Sequence, residues 1–161
     1  MGPLLTQFLN SKVTDVKHSG RSFLEHLKGV YEILKAQAAP DYVCKAGLFH
    51  SIYGTNVFRH ASVELESRPA VVDAIGPEAE RLAYIFCSCD RPRALVRAAN
   101  KGPPYQLINR RDGSVISLST LDMTDLLNIE IANLMEQNSL SLGSVVAALR
   151  QLMLPPESRP L

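Results

Sequence analysis

His26 and His50 are the residues on which chemistry could be built. A neutral imidazole is a good ligand for a divalent transition metal, and two of them on consecutive helices can converge across a bundle interior as half of a metal site. His26 stands about one turn before Val30, and His50 about one turn after Ala46 and Gly47, so both fall on inward faces. The same pattern also suits two hydrogen-bonded core histidines. A hydrolytic centre needs anionic oxygen donors as well. The oxygen-bearing residues nearby are Ser51, Tyr53 and Thr55 directly after the second histidine, and Asn133 and Glu136 far down the chain. His18 and Arg21 flank a Ser-Gly turn just ahead of His26, where Lys17 could join them in meeting an anionic ligand. His60 could add a further imidazole.

These side chains must be carried by helices. Leu4, Leu5, Phe8 and Leu9 give residues 3 to 13 an apolar stripe of helical period, which predicts a first short helix. Ser22-Phe-Leu-Glu25 has the form of a capping box, so a helix should begin at Ser22. It should run to about Ala39 with Leu27, Val30, Tyr31 and Leu34 inward, and Pro40 should stop it. Asp41 is placed to cap the next helix, expected to reach about Tyr53 and end at Gly54. The stretch from Thr55 to Arg68 is aperiodic and reads as a loop around at most one helical turn. Pro69 to Ile75 predicts a short helix closed by Gly76. Pro77 opens another, running to about Ser88, with Glu78 and Glu80 in its first turn and Leu82, Ile85 and Phe86 buried. A basic stretch follows, with Arg91, Arg93, Arg97 and Lys101. Asp112-Gly113 between two short apolar runs predicts a β-hairpin over about 105–118, with Arg110-Arg111 at an exposed tip. Ser119 or Thr120 should cap a long helix to about Asn138, and a last helix should cover about 142–153. The fold class expected is mostly α: residues 1–154 form one helical domain with an inserted hairpin, and 155–161 a short tail.

Composition narrows the function classes. The chain has 161 residues, 46% of them hydrophobic, with a formal net charge of +1. That is enough apolar material for one core, and it gives no general attraction to nucleic acid or to a membrane surface. No run is long enough to span a bilayer, and the N-terminus has neither a secretory leader nor a myristoylation motif. The three cysteines, Cys44, Cys87 and Cys89, are odd in number and include a Cys-x-Cys pair. They read as reduced thiols of a cytoplasmic protein, with Cys44 in the core.

From Ser19 to Asp90 the chain resembles the hydrolase domain of RelA/SpoT-type alarmone enzymes, within the HD superfamily of metal-dependent phosphohydrolases. Ser19-Gly20 precedes the helix bearing His26, as a Ser-Gly turn does in that domain. Ala46-Gly-Leu-Phe-His50 corresponds to the helix end that supplies the second histidine. Ile75-Gly-Pro-Glu-Ala-Glu-Arg-Leu82 is similar to a further stretch of the same domain. The resemblance implies an HD-like helical bundle and a divalent metal held by His26 and His50. The departures fall on the acids. Ser51 replaces the aspartate of the His-Asp doublet, and Ile52-Tyr53-Gly54 replaces the acidic pair that serves the attacking water. Asn133 matches the position of the last aspartate ligand, and Glu136 lies one turn beyond it.

Removing two carboxylates from a hard divalent site removes its charge compensation, so standard alarmone hydrolysis is not expected. The leading expectation is a variant HD-type enzyme acting on a small anionic or phosphorylated metabolite. In it His26 and His50 hold Mn, Fe or Zn, while Ser51, Tyr53 and Glu136 serve the chemistry. His18, Arg21, Thr55 and Asn133 would meet the substrate. Two alternatives stand beside it: a metal-free binding or regulatory protein, and an iron-dependent oxidative enzyme. The sequence specifies no oligomeric state.

Overall fold

The computed structural model of the chain describes residues 17–18, 21–137, 143–154 and 158. The first predicted helix, over 3 to 13, and the tail at 155–161 (Ser158 apart) lie outside the described residues. Among those described, the chain is mostly α-helical with seven α-helices, and its hairpin is β3 (Tyr105–Ile108) with β4 (Val115–Leu118). A second, two-residue ladder pairs β1 (Lys17–His18) with β2 (Arg21–Ser22), in the stretch the sequence read as a polar connection with a turn at Ser19-Gly20.

Helix α1 (Phe23–Ala36) starts where the capping box requires. The Ser22 hydroxyl accepts from the Glu25 amide at 3.2 Å, and the Glu25 carboxylate accepts from the Ser22 amide at 2.8 Å. Phe23, His26, Leu27, Val30 and Leu34 recur at steps of three and four and form its buried face. Helix α2 (Asp41–Leu48) packs on that face closely enough that a Cβ on Gly47 would come within 2.3 Å of a Leu34 methyl. A side chain at Gly47 would therefore force the buried Leu34 to shift. Asp41 does not cap α2. Pro40 occupies the N-cap, and Asp41 instead pairs with Lys45 at 2.8 Å one turn along. Helix α2 also ends earlier than the apolar pattern suggested, and residues 49 to 53 continue as turns.

A 3₁₀ turn (Leu65–Ser67) leads into α3 (Arg68–Ile75), and Gly76, with φ of 91°, separates it from α4 (Pro77–Ser88). Proline at the first position and two acids in the first turn suit the start of α4. Helix α5 (Arg93–Lys101) was not foreseen as a helix. Its basic residues Arg93, Arg97 and Lys101, four apart, are the solvent face, while Leu95, Ala98 and Ala99 are buried. In the hairpin, Leu107 and Leu118 point to the core while Ile108 and Val115, directly paired, face outward. Ser119 and Asp122 form a second capping box at the start of α6 (Thr120–Glu136), and α7 (Gly143–Leu152) adds Leu149 to the core.

Helices α1, α2 and α6 pack against one another, with α4 closing the layer over α2 and α6. Leu27, Leu34, Leu126, Leu127 and Ile129 are essentially without solvent contact, and each contributes about 1.5–3 kcal/mol by its burial. Within this core α6 buries a charge. The Glu130 carboxylate takes both sides of the Arg91 guanidinium, one contact at 2.6 Å, and Arg91 also lies over the Phe86 ring at 4.9 Å. Arg91 thus belongs to the interior and not to the exposed basic stretch. Truncating one partner strands the other charge in the core, so Glu130→Ala is expected to lose about 3–5 kcal/mol in denaturant unfolding. The double replacement Arg91→Met/Glu130→Leu should unfold near the wild-type midpoint.

Candidate functional site

Three helices bring the site together. His26 comes from the first full turn of α1, and Glu136 from the last turn of α6. His50 stands two residues past the end of α2, not within it. That placement sets its tautomer. The Gly47 carbonyl belongs to the last turn of α2, where it accepts only a long contact from the His50 amide at 3.5 Å, and His50 Nδ1 lies 2.7 Å from it. A carbonyl only accepts, so Nδ1 carries the proton and Nε2 presents its lone pair. His26 Nδ1 is in hydrogen-bond contact with the Glu136 carboxylate. The two Nε2 atoms then face each other at 3.4 Å, with the rings nearly perpendicular.

Two bare lone pairs at that separation repel, so the arrangement calls for a positive centre between them. A proton meets the demand if His26 donates from Nε2 while Glu136 balances its charge. A metal ion meets it as well. Ligands about 2.0–2.1 Å from a tetrahedral ion stand roughly 3.3–3.4 Å apart, which is the spacing here. Both Nδ1 atoms are engaged by oxygen acceptors, the usual outer support of a metal-bound histidine. Glu136 touches the Nδ1 side of His26, so it supports that ring from behind. Among the described residues, no three or more His, Cys, Asp and Glu side chains converge as a metal-binding group. The donors that face such an ion are therefore the two buried imidazoles alone.

Glu136 reaches His26 because α1 presents a glycine beneath it. A Cβ on Gly29 would sit 2.5 Å from Glu136 Cγ and 3.0 Å from its Oε1. Cγ is one bond from the Glu136 Cβ, so only a rotamer change or a parting of the helices could relieve the contact. Around the pair, Phe86 meets His50 edge-on at 5.4 Å and Phe23 lies 6.3 Å from His26, with Phe58 stacked on Phe23 at 4.4 Å. The Cys87 thiol donates to the His50 carbonyl at 3.1 Å, and burial pushes its pKa up to about 12, as it does for Cys89. Both are held as thiols at neutral pH.

The other residues predicted for the site divide. Asn133, one turn before Glu136 on α6, is buried, and its Nδ2 has no hydrogen-bond partner among the described residues. An oxygen-bearing ligand or water would satisfy that donor. Ser51 is buried beside His50 in the chain. Tyr53 is committed elsewhere: its hydroxyl donates to Glu80 at 2.8 Å, and the same carboxylate takes Arg68 at 2.7 and 3.0 Å. Arg68 in turn covers the Tyr84 ring at 3.7 Å. Thr55 is turned into its own loop, where its hydroxyl oxygen accepts from the Phe58 amide at 2.8 Å. His18 and Arg21 pair across the β1–β2 ladder; their side chains lie outside the described residues.

Sequence reasoning missed the role of Arg110 and Arg111. They are exposed at the hairpin turn, as expected, and their guanidiniums also reach back to the carbonyls of Cys87, Tyr53 and Gly54. The only local signal was the double arginine beside a turn.

A family model described as a domain of unknown function (DUF6817) matches residues 8–91. The match takes in both histidines, Ser51 and Glu80; Asn133 and Glu136 lie beyond it. No curated protein and no solved structure matches the chain.

Two outcomes follow from this geometry. Long-range ¹H–¹⁵N spectra of metal-free protein should show His50 protonated at Nδ1. In Gly29→Ala, which suits a helix better than glycine, the His26 signals should move while the circular dichroism stays. Unchanged His26 signals would rule out the Gly29–Glu136 coupling. With all three cysteines buried, a disulfide thiol reagent at pH 8 should react only after denaturation, then with all three.

Proposed function

We propose, from the premise that the chain belongs to the family of the domain of unknown function DUF6817, that it is a variant enzyme of HD type. It acts on a small anionic or phosphorylated metabolite at a transition-metal centre held by His26 and His50. One observation carries this reading: two buried imidazoles face each other through Nε2 at ligand spacing, each with Nδ1 already engaged. Both histidines fall inside the stretch matched to the family.

The donor set selects the metal and the chemistry. Imidazoles without carboxylate ligands favour zinc or iron over magnesium or calcium. When bound, such an ion supplies Lewis acidity and a more acidic water. The chain's own residues then divide the work. His26 and His50 offer Nε2, and Glu136 and the Gly47 carbonyl fix the tautomers and raise the basicity of the rings. Asn133 offers an amide donor to an oxygen of the substrate. Phe23, Phe58 and Phe86 keep the surroundings apolar, which strengthens every polar contact within. Ser51, in place of an acid, argues against the usual alarmone hydrolysis.

A second reading has its own support. Glu136, His26 and His50 form a closed hydrogen-bonded series that one shared proton satisfies without any metal. In that case the centre is a structural lock, and the protein binds its ligand without turning it over.

Metal analysis separates the two. Purified protein is expected to hold stoichiometric zinc, iron or manganese, lost in His26→Ala/His50→Ala. Glu136→Gln should weaken metal affinity roughly 10- to 100-fold. Iron with an optical change under oxygen would shift the chemistry to oxidation. Protein that is metal-free as purified, and takes up none of these ions on titration, would overturn the enzyme reading in favour of the lock.

A further inference from the structure

Gly54 lies four residues beyond His50, at φ of 71°, where the chain turns back on itself. A Cβ there would come within 2.7 Å of the Arg59 carbonyl oxygen, so the Arg59 backbone rests directly on Gly54. The loop between them is closed by the Thr55 amide donating to the Phe58 carbonyl at 2.6 Å. On its other side, the Gly54 carbonyl accepts from Arg110 at 2.9 Å and from Arg111 at 3.2 Å. Arg110 also donates through Nε to the Cys87 carbonyl at 2.9 Å, and Arg111 to the Tyr53 carbonyl at 2.5 Å. The Arg59 backbone and the guanidiniums of Arg110 and Arg111, from two separate loops, thus meet at one glycine.

No carboxylate among the described residues pairs with any of the three. Carbonyl dipoles orient the two hairpin guanidiniums without neutralising them. The side chain of Arg59 makes no hydrogen bond or ion pair among the described residues. The crowding has an electrostatic trace: burial, then Arg111 and Arg59, lower the pKa of Arg110. All three residues are exposed, so the charge is available to a ligand. A purely structural staple would need Arg110 and Arg111 only. It would gain nothing from a third, unengaged guanidinium that repels Arg110.

We propose that Arg59, Arg110 and Arg111 form a binding site for a phosphoryl group, with Arg110 and Arg111 held in place by carbonyls and Arg59 closing over the anion. Guanidinium groups bind phosphate oxygens through paired, charge-assisted hydrogen bonds, and such an anion relieves the repulsion among the three. The site deepens the anionic-metabolite part of the function proposed above and is independent of the metal. Its ligand is either free phosphate or a phosphate monoester, which share this chemistry.

The test is calorimetric titration of chelator-treated full-length protein with inorganic phosphate and, separately, with glycerol phosphate. Binding of at least one is expected, and the tighter of the two identifies the source. Arg59→Ala should weaken it about ten-fold, Arg59→Lys less, and Arg59→Ala/Arg111→Ala should remove it, with circular dichroism unchanged for Arg59→Ala. Arg97→Ala, which removes an exposed arginine from α5, should leave it as it was. No binding of either anion, or equal weakening by Arg59→Ala and Arg97→Ala, would overturn the proposal. Because metal has been removed, a failure here is separate from a failure of the histidine centre.

Discussion

The interior is organised by the need to satisfy two buried imidazoles that have nowhere to take water. His26 and His50 come from different elements, and each has one nitrogen anchored to an oxygen of a helix end. One anchor is the Gly47 carbonyl at the close of α2, and the other is the Glu136 side chain at the close of α6. The anchoring works only if α1 can be approached on two sides. Gly29 admits Glu136 to α1, and Gly47 lets α2 meet Leu34 without a Cβ between them. Gly29, in the interior of α1, costs about 0.5–1 kcal/mol relative to alanine. The close packing of three helices and the histidine centre both depend on Gly29 and Gly47.

A second buried polar group runs alongside. Arg91 and Glu130 are buried together, and Phe86 contacts both the guanidinium, which lies over its ring, and the His50 imidazole, to which its ring is nearly perpendicular. On α6 the residues Glu130, Asn133 and Glu136 follow at steps of three, so one side of the helix carries the acid for Arg91, an amide whose nitrogen has no partner among the described residues, and the acid for His26. This is expensive interior to build from charge. A hydrophobic stripe at those positions would be at least as stable. A polar stripe aligned on the histidine pair is what a site requires and a plain core does not.

What could be read from the sequence was local. Both capping boxes, at Ser22 and Ser119, need only residues three apart, and Asp112-Gly113 announces the hairpin by itself. The histidine pair was legible because each imidazole sits a turn from apolar neighbours. What could not be read was long-range pairing. Nothing near Tyr53 says that its hydroxyl will go to Glu80, or that Arg91 will leave a basic run for a core carboxylate. The end of α2 was misjudged because Phe49, Ile52 and Tyr53 are all buried, as helix residues would be, while the backbone has already turned. Helix α5 was hidden by its own charges, which are its solvent face.

The two missing acids acquire a physical meaning from this arrangement. A hydrolytic centre with two aspartates and two histidines brings its ion to near neutrality, and its acids hold the ion rigidly. On the HD-type reading proposed above, Ser51 and Asn133 stand at those positions, and Glu136, the carboxylate in contact with the pair, is spent on the far nitrogen of His26. Its negative charge still acts on the centre, but through the ring and at greater distance. The centre therefore favours any positive occupant of the space between the two Nε2 atoms, and a single proton satisfies it. An ion of charge two would leave an excess of one positive charge in an apolar setting, which an anionic substrate would offset. Charge balance thus ties the occupancy of the histidine pair to the charge of the ligand, so that a metal ion and an anion should each favour the binding of the other.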